Sequence, residues 1–156
     1  MVEKSLQQKE TKLTAAITFA VAAHAMQMDK QSHPYILHPL AVMLQMKTNE
    51  QRIRAVLHDV FEDCEVDLDE AKQLLDLNSE DVRILDALTH RKGEPYDDYL
   101  KRVIVAGPDA VEIKLADIDH NLSRMDGLPD EDRLRLKNKY FKAKRSVECA
   151  MKDKTT

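Results

Sequence analysis

Residues Leu57-His58-Asp59-Val60-Phe61-Glu62-Asp63 constrain the fold more than any other stretch of this chain. His58 and Asp59 stand side by side between the apolar pairs Val56-Leu57 and Val60-Phe61. An imidazole and a carboxylate inside an apolar run are costly unless each is paired or something binds them. Whatever the chain folds into must therefore bring compensating groups to this point from elsewhere. On a helix, Glu62 shares a face with His58 and Asp59, and Asp63 with Asp59. In isolation a His-Asp dipeptide suits a surface helix end, where the dipole favours histidine; the apolar flanks argue against that here. A metal-activated water beside an acid–base carboxylate is chemistry that uses such a cluster.

The surrounding pattern is helical. Leu13, Ile17, Ala20, Val21 and His24 recur at helical spacing and predict a first helix over 4–28. Pro34 disfavours helix in the residue before it, which leaves 29–35 as a loop. Pro39 suits the first turn of a short helix over 39–46. Thr48-Asn49-Glu50-Gln51 has the form of a capping box; it opens a helix that buries Ile53, Val56, Leu57 and Val60. Asp67 and Asn78 predict starts for the helices of Leu74-Leu75 and of Val82, Leu85 and Leu88. Gly93 and Pro95 precede a helix of Tyr96, Tyr99, Leu100 and Val103. Gly107-Pro108 turns into another, with Val111, Ile113, Leu115 and Asp117. Gly127 and Pro129 precede a charged last helix over 130–151. With 3 Gly, no Trp and 4% aromatic residues, and no convincing strand, the expectation is all-α. It takes the form of one compact domain over 1–156, a bundle of about seven or eight helices.

A net charge of −4 gives no domain-wide basic field for nucleic acid. No apolar run approaches the roughly 20 residues of a membrane span, and the N-terminus has no signal-peptide core. Cys64 and Cys149 lack metal or disulfide-framework spacing and read as free thiols of a reducing compartment. The expectation is a cytoplasmic protein.

Adjacent residues on an ideal helix diverge by about 100°, so a metal shared by His58 and Asp59 needs ligands from elsewhere. His38 and Asp117 are the candidates. Mixed nitrogen and oxygen ligands suit Mn²⁺, Fe²⁺ or Zn²⁺, and a set without thiolate favours a catalytic site with open positions. Of Glu62 and Asp63, one can orient or deprotonate water while the other protonates a leaving group; a solvated acidic rim running on through Glu65, Asp67, Asp69 and Glu70 is the alternative. Asn121, one turn beyond Asp117, offers a donor and an acceptor for a ribose hydroxyl or a phosphate oxygen; helix capping near Asp126-Gly127 fits equally. His120 can lean toward the same site. His24 reads as a core or supporting histidine, His33 as solvent-facing, and Met26, Met28, Met43 and Met46 as core filling. Arg133, Arg135, Lys137, Lys139, Lys142, Lys144 and Arg145 form a solvated helix face from which one or two members can fold back onto a phosphate.

Four stretches occur in one order: Ala22-Ala23-His24-Ala25-Met26-Gln27; Pro34-Tyr35-Ile36-Leu37-His38-Pro39-Leu40; Leu57-His58-Asp59-Val60-Phe61-Glu62-Asp63; and Lys114-Leu115-Ala116-Asp117-Ile118-Asp119-His120-Asn121-Leu122. Together they resemble the HD-domain metal-dependent phosphohydrolases. Their order is similar to that in the hydrolase domain of RelA/SpoT-type proteins and the small alarmone hydrolases. The resemblance implies an all-α domain with one Mn²⁺-like ion on His38, His58, Asp59 and Asp117. It makes Glu62 and Asp63 the catalytic acids and places Asn121 at the nucleotide sugar. The implied reaction removes the 3′-pyrophosphate of guanosine tetra- or pentaphosphate. For such a polyanion Lys30 is the candidate to bind phosphate or stack near the base, and Lys92 and Arg124, in loops or helix ends near the motifs, are candidates for phosphate. The implied partner is a small phosphorylated nucleotide. No synthetase segment is seen, so degradation rather than synthesis is expected. The sequence departs from the family pattern at Asp29-Lys30-Gln31-Ser32-His33, where an Arg-Lys-Ser-Gly type of loop is usual, and at Cys64, Ile118 and Asp119. Those departures keep open another nucleotide substrate, such as NADPH or a nucleoside monophosphate, and a non-catalytic nucleotide-sensing domain.

Overall fold

The computed structural model describes the backbone of residues 2–153 and the side chains of residues 11–152. Its helices are α1 (Val2–Ala23), α2 (Leu37–Leu44), α3 (Asn49–Leu57), α4 (Val60–Asp63), α5 (Leu68–Leu74), α6 (Ser79–Leu88), α7 (Tyr96–Ala106), α8 (Pro108–Ser123) and α9 (Asp130–Asp153). Among the described residues these are eight helices and one single turn, α4, with no strand beyond an isolated bridge between Met28 and Pro34.

Local chemistry sets the boundaries. Thr48 and Gln51 form the reciprocal capping box of α3, and Asn78 with Asp81 forms that of α6. Asp67 accepts from the amides of Asp69 and Glu70 to start α5. Gly107, at φ 103°, ends α7 in a conformation that favours glycine, and Pro108 begins α8 directly after it.

The first helix is shorter than its periodicity predicts and ends at Ala23. Residues 27–29 instead pair with 33–35: Tyr35 N donates to Gln27 O at 2.9 Å and Asp29 N to His33 O at 2.8 Å. The Asp29 carboxylate closes the turn by accepting from Gln31 N and His33 N. Such local bonds offer the backbone an alternative to helix. Met26 and Met28 are consequently 93% and 60% exposed, not core filling, whereas Met43 and Met46 are buried as expected.

α3 is the central element and packs on α1, α2, α6 and α8. Its Ile53, Val56 and Leu57 meet one contiguous core that includes Ala16, Ala20, Val42, Leu85, Ile113 and Ile118. Each such large apolar side chain contributes about 1.5–3 kcal/mol on burial. His58, which follows Leu57, is therefore anchored at the floor of whatever site it serves.

A buried polar network runs through the same layer. Arg54, 5% exposed, donates to Asp81 at 2.9 Å and to Asp109 at 2.5 Å. Gln51 donates to Asp109 and Glu112. These bonds fasten α3 to α6 and α8. Asp81→Ala leaves the guanidinium with one partner and removes half of the α6 capping box, so a loss of about 3 kcal/mol is expected. Urea unfolding reads it as a lower midpoint at unchanged slope; an unchanged midpoint would mean that Asp109 alone satisfies Arg54. No described helix is long and apolar enough to cross a membrane.

Candidate active site

The helix breaks at the His-Asp pair. His58 is the C-cap of α3, and Asp59, at φ −96° and ψ −10°, is the N-cap of α4. At that break the two neighbouring side chains come together: His58 Nε2 lies 3.2 Å from Asp59 Oδ1. α2 supplies His38 from its first turn and α8 supplies Asp117. His38 Nε2 lies 3.0 Å from Asp117 Oδ1 and 3.3 Å from Asp59 Oδ2. Ligand atoms of His38, His58 and Asp117, all buried, lie within 4.8 Å of one another.

Supporting groups fix the orientation of this cluster. His58 Nδ1 is 2.6 Å from the Ala55 carbonyl, which can only accept, so Nδ1 carries a proton. His58 Nε2 is then left buried with no hydrogen-bond partner, aimed at the carboxylates. With Nδ1 committed to the carbonyl, Nε2 is the ring atom left for a cation or, in its absence, for a proton that pairs it with the Asp59 and Asp117 carboxylates. His38 Nδ1 meets His120 Nδ1 at 2.7 Å. If that hydrogen belongs to His38, its Nε2 presents a lone pair, the outer-shell arrangement usual for metal-ligating histidines. Lys114 Nζ and Asn121 Nδ2 donate to the two oxygens of Asp117 at 2.7 and 2.6 Å. Tyr35 Oη donates to Asp59 Oδ2 at 2.8 Å. Two imidazole nitrogens and two carboxylates therefore fit a divalent first-row ion.

The charges are tightly coupled. Burial alone would raise the pKa of Asp59, but His58 and His38 outweigh it and hold Asp59 at about 2. Burial likewise opposes ionisation of Asp117, and Lys114 with the two histidines still keeps it well below the usual carboxylate range. Burial pushes His58 down, yet Asp59 and Asp117 bring it up to about 9. The folded-state pKa is thus raised above the ordinary value, so this ion pairing stabilises fully below about pH 6.5. In metal-stripped protein it is lost as pH rises toward 9. A divalent cation must displace that proton. We expect cation uptake to release protons at pH 7 and affinity to fall with decreasing pH. Calorimetry in buffers of different ionisation enthalpy measures the release; pH-independent affinity would exclude His58 as a ligand.

The cluster opens into a cavity of about 390 Å³, within the range of small-molecule sites. Glu62 and Asp63 line it beside Asp59. Partial desolvation, reinforced by the Asp59 charge, raises the pKa of both. The Glu62 carboxylate is held by the His90 amide at 3.0 Å. Lys30, Asn121 and Arg124 also line the cavity, while Lys92 lies on an exposed loop outside its lining. Asn121 is already engaged, donating to Asp117 and accepting from Arg124. His24 is buried against the Tyr35 ring, with Nδ1 2.6 Å from Gln27 Oε1.

Sequence reasoning missed several lining groups. Lys114, three residues before Asp117, was findable as a helical neighbour of that acid. Tyr96, Tyr99 and Tyr140 form an aromatic wall, with the Lys139 ammonium 4.3 Å from the Tyr96 ring centroid. Lys139 carries no distinguishing signal within the charged stripe of α9. Asp29 read as a mere departure, yet it lines the cavity.

No protein-family model matches the chain. It is 33% identical over 137 residues to the bifunctional (p)ppGpp synthase/hydrolase SpoT of Escherichia coli K12, covering 80% of this chain and 20% of that protein. It is 34% identical over 128 residues to a guanosine-3′,5′-bis(diphosphate) 3′-pyrophosphohydrolase of Vibrio cholerae, covering 71% of this chain and 18% of the relative. The chain thus spans about a fifth of the length of the curated relatives it matches. Among solved structures, a metazoan ortholog of SpoT that hydrolyzes ppGpp superposes with a TM-score of 0.70, over 89% of this chain and 84% of that one, at 22% identity. At that identity the likeness is one of fold.

Proposed function

Because this chain belongs with the HD-type hydrolase domains of RelA/SpoT proteins, we propose that it is a metal-dependent pyrophosphohydrolase that removes the 3′-pyrophosphate from guanosine tetra- or pentaphosphate. The observation that carries the reading is the convergence of His38, His58, Asp59 and Asp117 on the floor of one cavity that Glu62 and Asp63 also line.

His38, His58, Asp59 and Asp117 would hold the cation, read as Mn²⁺, with Fe²⁺ and Zn²⁺ compatible with the same donors. When bound, such an ion polarises a phosphoryl group and lowers the pKa of water at its open position. The chain's own groups manage the protons. One of Glu62 and Asp63 takes a proton from the attacking water, and the other delivers one to the departing 3′ oxygen. Their raised pKa values suit that exchange better than those of ordinary carboxylates. Lys114 keeps Asp117 anionic, and Tyr35 orients Asp59. Lys30, Arg124 and Lys139 offset the phosphate charge around the cavity.

The decisive assay identifies the product. Metal-replete protein given guanosine tetraphosphate is expected to release pyrophosphate and guanosine diphosphate. Inactivity there, with orthophosphate released from NADPH or a nucleoside monophosphate, would overturn the alarmone reading while keeping the metal chemistry. The altered loop at 29–33 is the observation that favours that second outcome.

A further inference from the structure

Asp117 divides the cavity along α8. Lys114, about one turn before it, donates to Oδ2 at 2.7 Å, and Asn121, about one turn after it, donates to Oδ1 at 2.6 Å. Arg124 extends the Asn121 end by donating to Asn121, and Gln31 ties the 29–33 turn, which bears Lys30, to the Arg124 carbonyl. Tyr96, Tyr99 and Lys139 of α9 close the Lys114 end.

The two ammonium groups at the Lys114 end differ in what they already hold. Lys114 is buried and committed to Asp117. Lys139 is exposed, lines the cavity, and makes no hydrogen bond or ion pair among the described residues. Its ammonium rests on aromatic rings, 4.3 Å from the Tyr96 centroid and 5.7 Å from that of Tyr140. Lys114 Nζ lies 6.0 Å from the same Tyr96 centroid. One ring therefore joins a lysine bonded to a candidate metal ligand and a lysine with no anion. Partial burial and the Lys114 charge hold the Lys139 pKa below its ordinary value; an anion beside the two cations offsets their repulsion.

We infer that Lys139 is a specificity-determining residue that receives the distal phosphate of the 3′-pyrophosphate, so that the site prefers a 3′-diphosphate to a 3′-monophosphate. With the phosphorus under attack at the metal-ligand cluster, its 3′ oxygen leads to the nucleoside and its bridging oxygen leads to the second phosphate. The nucleoside and its 5′ phosphates take the end where Lys30 and Arg124 stand. The second phosphate then falls at the opposite end, one bridging oxygen from the cluster. There an ammonium on a flexible four-carbon stem offers three donors. A 3′-monophosphate leaves that ammonium unused. The inference rests on the nucleotide-hydrolase reading and adds the length of the 3′ chain.

Binding measured without turnover tests it. In Asp63→Asn protein supplied with Mn²⁺, calorimetry compares guanosine tetraphosphate with guanosine 5′-diphosphate 3′-monophosphate, first with Lys139 present and then with Lys139→Met. Methionine keeps an apolar stem on Tyr96 and Tyr140 at an exposed position, so the wall persists. With Lys139 present the tetraphosphate is expected to bind roughly tenfold to a hundredfold more tightly, the range of a charge-assisted contact. Lys139→Met is expected to remove most of that ratio and Lys139→Arg to restore it. A role confined to shaping the wall weakens both nucleotides alike, so a ratio unmoved by Lys139→Met overturns the inference. Equal affinity for the two nucleotides, or binding of neither, with Lys139 present overturns it as well. A parallel product assay on protein with Asp63 and Lys139 intact keeps the two readings apart. Pyrophosphate release with a ratio insensitive to Lys139 sinks the inference and spares the reaction; a Lys139-dependent ratio without release sinks the reaction and spares the assignment.

Discussion

Asp59→Ala is expected to lower turnover by about a thousandfold, to or below the detection limit, while the protein stays folded. The magnitude follows from the several kcal/mol that a correctly held divalent ion contributes to phosphoryl chemistry, at about 1.36 kcal/mol for each factor of ten. Asp59 lies against both histidines: its Oδ1 is 3.2 Å from His58 Nε2 and its Oδ2 is 3.3 Å from His38 Nε2. Without it the donor set keeps two imidazoles and one carboxylate, and Tyr35 Oη loses its partner. The fold has other supports, because α3 is fixed by Ile53, Val56, Leu57 and the Arg54 network rather than by Asp59. Three measurements on one preparation check this: bound metal by elemental analysis, pyrophosphate release, and far-UV circular dichroism. Retained turnover in folded Asp59→Ala protein would refute the metal mechanism outright.

What the sequence disclosed and what it hid divide along physical lines. Short-range chemistry was readable: the Thr48 and Asn78 capping boxes and the Pro108 helix start depend only on neighbours in the chain. The convergence of His38, His58, Asp59 and Asp117 could be anticipated because a charged pair inside an apolar run requires distant partners. The early end of α1 could not. Its cause is pairing between residues 27–29 and 33–35, which overrides an unbroken helical periodicity. The aromatic wall was illegible for a different reason: Tyr96, Tyr99 and Tyr140 sit at spacings that serve a core equally well. Lys139 shows the limit most clearly. Several bases share its helix, and only tertiary packing places this one on the Tyr96 ring.

Glu62→Gln and Asp63→Asn separate catalysis from architecture. Each is expected to cost between about 10² and 10⁴ in turnover, the usual range for a positioned acid or base. Cation affinity should change little, since neither is among the four candidate ligands. In Glu62→Gln the introduced amide oxygen can still accept from the His90 amide that holds Glu62 Oε2 at 3.0 Å, so the floor of the cavity keeps its shape. Both native carboxylates have pKa values raised by desolvation and by Asp59. The sign follows directly: the folded state favours their protonated forms, so their ionisation above the raised pKa opposes folding. Neutral amides remove that penalty, and stability should hold or rise slightly while activity collapses. The pH profile then assigns the roles. The base must be ionised, so kcat/KM falls with decreasing pH through its raised pKa; the acid must be protonated, so activity falls as pH rises. Loss of the acidic limb in one variant and of the alkaline limb in the other identifies base and acid respectively. Turnover within about tenfold of the unaltered protein in both variants would remove this pair from the chemistry and leave them an acidic rim.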